Sequence, residues 1–305
     1  MFDLLLKDKF QVHEMKDLIT GAMESIEEKQ SKKRYIRGIP TGFQSLDYFI
    51  SGLQKGHFIV VAGRPSMGKT SFVLSLAKHV AIYQNVPVLF FSLDSSKEDI
   101  ALRLLVSQAR VDMQKARTGF VSSSNIPKLT AAAGVLSDAK LYVEERPRLI
   151  SQIEEKIAFY ISKKKIGLVI IDSLQEIEGV GYEQTKERRR KVEGFCRKLK
   201  NIALKHQIPI VSTFWASRAF EVDHKKIPHL NNFSKEEGDL SSYADEILML
   251  YREEYYFPTD LNKGVTNIRI IKNEFMNCGI ANTHFFKEEG CFFEDAEAPR
   301  TGDVI

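Results

Sequence analysis

Phe58-Ile59-Val60-Val61-Ala62-Gly63-Arg64-Pro65-Ser66-Met67-Gly68-Lys69-Thr70-Ser71 is an apolar run that passes straight into the pattern G-x-x-x-x-G-K-T. The apolar half predicts a buried strand. The glycine half predicts a loop whose backbone N–H groups turn inward around a triphosphate. Phe72, Leu74, Leu76, Ala77, Val80 and Ala81 then recur at helical spacing. The loop therefore opens a helix, and the positive end of that helix adds to the attraction for an anion. A glycine turn between a strand and a helix has the same spacing, but the context on both sides favours the phosphate cradle. Gly63, Arg64, Pro65, Ser66, Met67, Gly68, Lys69, Thr70 and Ser71 are the candidate nucleotide-binding residues. Lys69 is placed to reach the β- and γ-phosphates of ATP, and the Thr70 hydroxyl to ligate Mg²⁺.

Outward from this segment, short apolar runs alternate with helical patterns. Strands are expected at 58–62, 88–93, 141–143, 168–172, 208–213 and 246–251. Helices are expected at 69–84, 96–110, 125–137, 151–163 and 186–206, with a further one around Leu240. Wholly apolar strands separated by helices predict a mainly parallel sheet covered on both faces. The tail differs: Asn267–Lys272 and Thr283–Lys287 read as paired strands, with Asn277-Cys278-Gly279 in the turn between them. At the other end, residues 10 to about 30 read as one amphipathic helix, with Met15, Leu18, Ile19, Ala22, Met23 and Ile26 on its apolar stripe. The basic stretch Glu28–Arg34 follows as a linker. The apolar stripe must be covered by its own domain or by a neighbouring chain. This divides the chain into a helix and linker at 1–35 and an α/β domain at 36–305.

A P-loop needs a second anchor for Mg²⁺. The run Leu168-Val169-Ile170-Ile171 ends in Asp172, a carboxylate at the end of a buried strand, where an α/β site would use it. A helix cap built from Asp172 and Ser173 is the competing reading. The neighbouring strand ends in Asp94, where RecA-type ATPases carry the acid that deprotonates the attacking water. Asp94 also precedes Ser95 and Ser96 and could instead open a helix. Lys186-Glu187-Arg188-Arg189-Arg190-Lys191, with Arg197, Lys198 and Lys200, forms a basic helix. Its apolar stripe is expected at Val192, Phe195, Leu199, Ile202 and Ala203, which puts the basic residues on the opposite face. That face is either solvated or set against phosphate or a neighbouring subunit.

Composition narrows the class. The 305 residues are 43% hydrophobic and 10% aromatic, ample for a packed core. The net charge of +4 permits a polyanionic partner without demanding one. Cys196, Cys278 and Cys291 are far apart and form no C-x-x-C, so reduced thiols in a cytoplasmic protein are expected, with no zinc site. Met1–Lys9 is too short and too charged for a signal peptide. No apolar run approaches the roughly 18 residues needed to cross a bilayer, so no membrane partner is expected.

Several blocks match a known family in order and spacing. They are Arg37-Gly38-Ile39-Pro40-Thr41-Gly42-Phe43-Gln44-Ser45-Leu46-Asp47, Gly52-Leu53-Gln54-Lys55-Gly56, the P-loop, Phe91-Ser92-Leu93-Asp94 and Ile171-Asp172-Ser173-Leu174-Gln175. Arg110-Val111-Asp112, Arg117-Thr118-Gly119, Arg197-Lys198-Leu199-Lys200, Ala244-Asp245 and Tyr251-Arg252 complete the series. Over roughly residues 36 to 290 the chain resembles the C-terminal motor domain of DnaB-type replicative helicases. The resemblance fits better than one to a recombinase. It implies a RecA-like P-loop ATPase domain and a homo-hexamer driven by ATP and Mg²⁺. Such a ring tracks 5′ to 3′ along single-stranded DNA, with a helicase loader or primase as possible partners. The helix at 10–30 resembles the family's linker helix, which docks on the next subunit. The family's separate N-terminal domain has no counterpart here.

The family's DNA-backbone motif R-E-S-G reads Lys235-Glu236-Glu237-Gly238, which makes Lys235, Glu236 and Gly238 the candidate DNA contacts. An acidic loop is the competing reading, since Glu237 repels phosphate. Three departures bear on catalysis. The catalytic glutamate is Asp94. The glutamine of the S-Q-L motif is Trp215. The K-x-R finger, which enters the neighbour's ATP site, reads Lys272-Asn273-Glu274: the catalytic candidate Lys272 survives, and glutamate takes the arginine position. The resemblance therefore supports two readings, an ATP-dependent helicase and a catalytically weakened ATP-binding ring that serves as a scaffold or regulator.

Overall fold

The computed structural model describes residues 14–32, 36–145, 147, 149–180, 185–216 and 240–294. Two helices come first, α1 (Met15–Lys32) and α2 (Gln44–Ile50). The apolar stripe of α1 is largely exposed, with Met15 at 70% and Ile19 at 56% of full exposure. The body then alternates: β1 (Phe58–Gly63), α3 (Lys69–Ile82), β2 (Val88–Ser92), α4 (Lys97–Ala109), α5 (Met113–Thr118), α6 (Ile126–Asp138), β3 (Leu141–Glu145), α7 (Ile150–Lys164), β4 (Leu168–Asp172), α8 (Lys186–His206), β5 (Ile210–Trp215) and β6 (Glu246–Tyr251). β7 (Val265–Asn273), β8 (Gly279–Phe286) and β9 (Cys291–Phe293) close the chain. Each expected strand is present within a few residues of its predicted bounds. Of the helix expected around Leu240, the described residues hold one 3₁₀ turn, Leu240–Ser242.

Among the described residues, one nine-stranded sheet runs in the order β3-β2-β4-β5-β1-β6-β7-β8-β9. The first six strands are parallel and the last three are added antiparallel. This is the RecA-like α/β fold. β1, β2 and β4 are buried along their whole length, which explains their mostly apolar sequences. Alternate residues feed two cores. Phe58, Val60, Leu89, Phe91, Val169 and Ile171 meet α7 and α8, through Ile153, Ile157, Val192, Phe195 and Leu199. Ile59, Val61, Val88, Phe90 and Ile170 meet α2 and α3, through Leu46, Phe72, Val73 and Leu76.

The predicted stripe of α8 is buried as expected, joined by Cys196. The expected segregation of its basic residues needs correction. Arg188 is buried, with its guanidinium 5.8 Å from the Phe214 ring centre. Four residues before Val192, it continues the buried stripe. Lys200 turns inward to bind Asp245 at 2.6 and 2.7 Å and the Gly56 carbonyl at 3.0 Å. Long side chains pack their stems on the core and carry charge to a partner. Among the described residues, no helix is long and apolar enough to cross a membrane.

Candidate active site

The P-loop joins β1 to α3 at the C-terminal edge of the parallel strands. Gly68 caps the helix at φ +90°, in the left-handed region. A side chain there would also meet the Phe292 ring at 3.0 Å, so the turn and its aromatic backing both require glycine. Gly42 is a second such case, at φ +90° with the His79 ring 2.5 Å from where a Cβ would stand. Lys69 is buried at the start of α3 and donates to the Gly63 carbonyl at 2.8 Å and the Arg64 carbonyl at 2.9 Å. Burial lowers its pKa to about 7, against the attraction of Asp172.

Asp172 ends β4 and is buried, accepting a hydrogen bond from Thr213 Oγ1 at 2.5 Å. Burial pushes its pKa up, while Thr213, Thr70 and Lys69 pull it down. The helix-cap reading of Asp172 is not what the structure has, because it is the last strand residue and points its carboxylate at Thr213. Asp94 is exposed in the turn after β2, two residues beyond Ser92, which pairs with Asp172 across the sheet. It does not cap α4. Ser96 does, its side chain accepting from the Asp99 N–H at 3.2 Å. Asp94 thus lies just beyond the C-terminal end of β2, the strand paired with β4. The Thr70 hydroxyl and Asp172 carboxylate form a hard oxygen donor set next to the phosphate cradle, which suits Mg²⁺.

Residues 38–294 match the family model of the DnaB-like helicase C-terminal domain. The chain belongs to this family. It is 34% identical over 292 residues to the replicative DNA helicase DnaC of Bacillus subtilis (strain 168), covering 93% of this chain and 64% of that protein. It is 33% identical over 292 residues to the replicative DNA helicase DnaB of Geobacillus stearothermophilus, with the same coverage. It therefore spans just under two thirds of the length of these relatives. Two solved structures are similar at 29% identity. The ATPase domain of G40P superposes with a TM-score of 0.84, over 93% of this chain and 99% of that one. A DnaB-like replicative helicase, described with its interactions with primase, gives 0.81 over 93% and 67%.

Against this DnaB-like frame the departures have definite surroundings. Trp215 ends β5 opposite Gly63 of the P-loop strand, and its carbonyl accepts from Gln175 Nε2 at 3.0 Å. Its ring centre lies 5.3 Å from Lys69 Nζ. Lys272 stands at the far end of β6 and β7, away from its own P-loop. Its ammonium donates to the Ser241 and Ala244 carbonyls and to Glu274 Oε1, each at 2.5 Å. Asn273 shapes the same turn, accepting from Phe275 and Met276 N–H, each at 3.1 Å, and donating to the Phe49 carbonyl at 3.0 Å. Phe275 stacks on His57, whose Nδ1 meets Glu246 at 2.8 Å. The candidate DNA contacts Lys235, Glu236 and Gly238 lie outside the described residues.

Two contributors were not singled out from the residues. Thr213 follows from register: β4 and β5 pair Ile171 with Ser212, so the next residues, Asp172 and Thr213, face each other. Arg252 holds the loop from outside, donating from Nη1 to the Ser66 carbonyl at 3.2 Å while pairing with Glu254. Its signal was the Tyr251-Arg252 pair, which ends a strand running beside β1.

Proposed function

We propose that this chain is the motor of a hexameric helicase that uses ATP to move 5′ to 3′ along single-stranded DNA in replication. The carrying observation is the convergence of Lys69, Thr70 and Asp172 at one sheet edge, in a chain of the DnaB-like family. In this reading the residues of the P-loop hold the triphosphate, and Lys69 gives up the Gly63 and Arg64 carbonyls for the β- and γ-phosphates. Thr70 and Asp172 hold Mg²⁺, which offsets phosphate charge when bound. Asp94 takes a proton from the attacking water, and Lys272 reaches the γ-phosphate from the adjacent subunit. Lys235, Glu236 and Gly238 contact the DNA backbone. A loader or primase would act on the assembled ring.

A second reading has specific support. Asp94 is one methylene short of glutamate, and about 1 Å of misplacement can cost roughly 10²-fold in rate. Glu274 neutralises Lys272 within its own chain. These features favour a slow ring that serves mainly as scaffold or regulator. ATP turnover of the purified protein, with and without single-stranded DNA, separates the two. Strong DNA stimulation supports the motor, and binding without stimulated turnover supports the scaffold. Lys69→Ala should weaken a non-hydrolysable ATP analogue at least tenfold by calorimetry. Equal affinity would remove the nucleotide site from both readings.

A further inference from the structure

Lys69 Nζ rests among three partners: the carbonyls of Gly63 and Arg64, and the face of Trp215 at 5.3 Å. The carbonyls belong to the loop and are available in any P-loop of this sequence pattern. The indole is supplied by the end of β5, held in register by the pairing of Gly63 with Trp215 and by the Gln175 bond to the Trp215 carbonyl. An indole has one N–H donor and a broad negative face, so it holds a cation through that face. From these contacts we propose that Trp215 is a positioning residue that seats the Lys69 ammonium away from the phosphate cradle, so that an incoming triphosphate must draw the lysine off the ring.

The proposal rests on the reading of this loop as a nucleotide site. Its physical content is a competition. Cation–π attraction fades beyond about 6 Å from the ring centre, and the contact is already near that limit. A shift of about 1 Å away from the ring therefore breaks it. An interaction present before binding and lost on binding lowers affinity. Removing the ring while keeping the pocket apolar should consequently tighten binding.

The chain contains one tryptophan, so Trp215 reports on its own surroundings. Trp215→Leu should bind Mg·ATP analogue about three- to tenfold tighter than the parent by calorimetry. Trp215→Phe, which keeps a smaller ring face, should fall between them. Indole emission of the parent should change as analogue is added, and free Lys69→Met should already show emission shifted in the same direction. A purely structural tryptophan would produce neither the tightening nor that match. Equal or weaker affinity in Trp215→Leu overturns the proposal and leaves the nucleotide site standing. A parent that binds no analogue overturns both. If Trp215→Leu does not fold, Trp215→Phe and the Lys69→Met emission decide: parent-like affinity and parent-like emission together overturn it.

Discussion

Asp47 is buried in α2 with its two oxygens facing the Thr41 N–H, each at 3.1 Å. Burial raises its pKa to about 6 from an ordinary 3.8, helped by Glu294 and opposed by Thr41. The folded chain thus holds this proton more tightly than the unfolded chain. The stability Asp47 gives is full below about pH 4 and is lost as pH rises through about 6. Asp47→Asn removes that slope, so the variant should gain on the parent by roughly 3 kcal/mol between pH 4 and pH 7 in urea unfolding. A difference that stays flat with pH would contradict this. Asp94 and Glu274 raise a separate question, that of rate. A cation at the finger position can be worth about 10³–10⁵ in phosphoryl transfer, and glutamate opposes the same charge. Asp94→Glu with Glu274→Arg should raise ATP turnover at least tenfold, and more than the two single changes multiplied together, since in the proposed ring they meet at one site from two subunits. A parent rate that neither change improves would show that both positions are already adequate. The chain's own pattern made Lys69, Thr70 and Asp172 readable, because each type has a fixed place in a phosphate cradle. The contacts of Arg188 with Phe214, Lys200 with Asp245 and Arg252 with Ser66 were not readable, because each partner lies far off in the chain and is brought near only by the fold.

At the level of elements, the parallel half of the sheet was legible because burial on both faces leaves its central strands, such as β1, β2 and β4, almost wholly apolar. The antiparallel half was legible as the pair β7 and β8, while β9 is three residues long and carries no period of its own. Yet β9 bears on the site. Phe292 is buried, packs edge-on against Phe72 of α3 at 5.6 Å, and lies against Phe285 at 4.8 Å. Its backbone N–H also donates to Ser75 Oγ at 3.1 Å. The last strand thus supports both the P-loop turn at Gly68 and the first turns of the helix behind it. Phe292→Ala should cost about 3–5 kcal/mol in denaturant unfolding. It should also weaken binding of ATP analogue at temperatures where the variant is still folded, because Gly68 loses its backing. Lost stability with unchanged affinity would show that β9 supports the core alone.

For the molecule as a whole, the open question is what covers α1. Its stripe predicts burial, yet Met15, Leu18, Ile19 and Met23 are all at least half exposed in the single chain. Each such side chain is worth roughly 1.5–3 kcal/mol when fully buried, before the costs of association are subtracted. Four of them could hold a ring together. The proposed finger residue, Lys272, points to the same assembly. It is bonded to carbonyls at the opposite end of the strands from its own P-loop, so any nucleotide it serves must belong to another copy. The proposed hexamer thus requires both an apolar helix to bind the neighbour and a face that brings Lys272 to the neighbour's loop. We expect a nucleotide-stabilised hexamer that fails to form when residues 1–30 are removed. Light scattering coupled to gel filtration, with and without ATP analogue, measures this directly. A full-length chain that stays monomeric at high concentration with nucleotide would remove the ring and most of the motor reading with it. A truncated chain that still forms hexamers would remove only the part assigned to α1, and would move the binding energy to the surfaces around the finger.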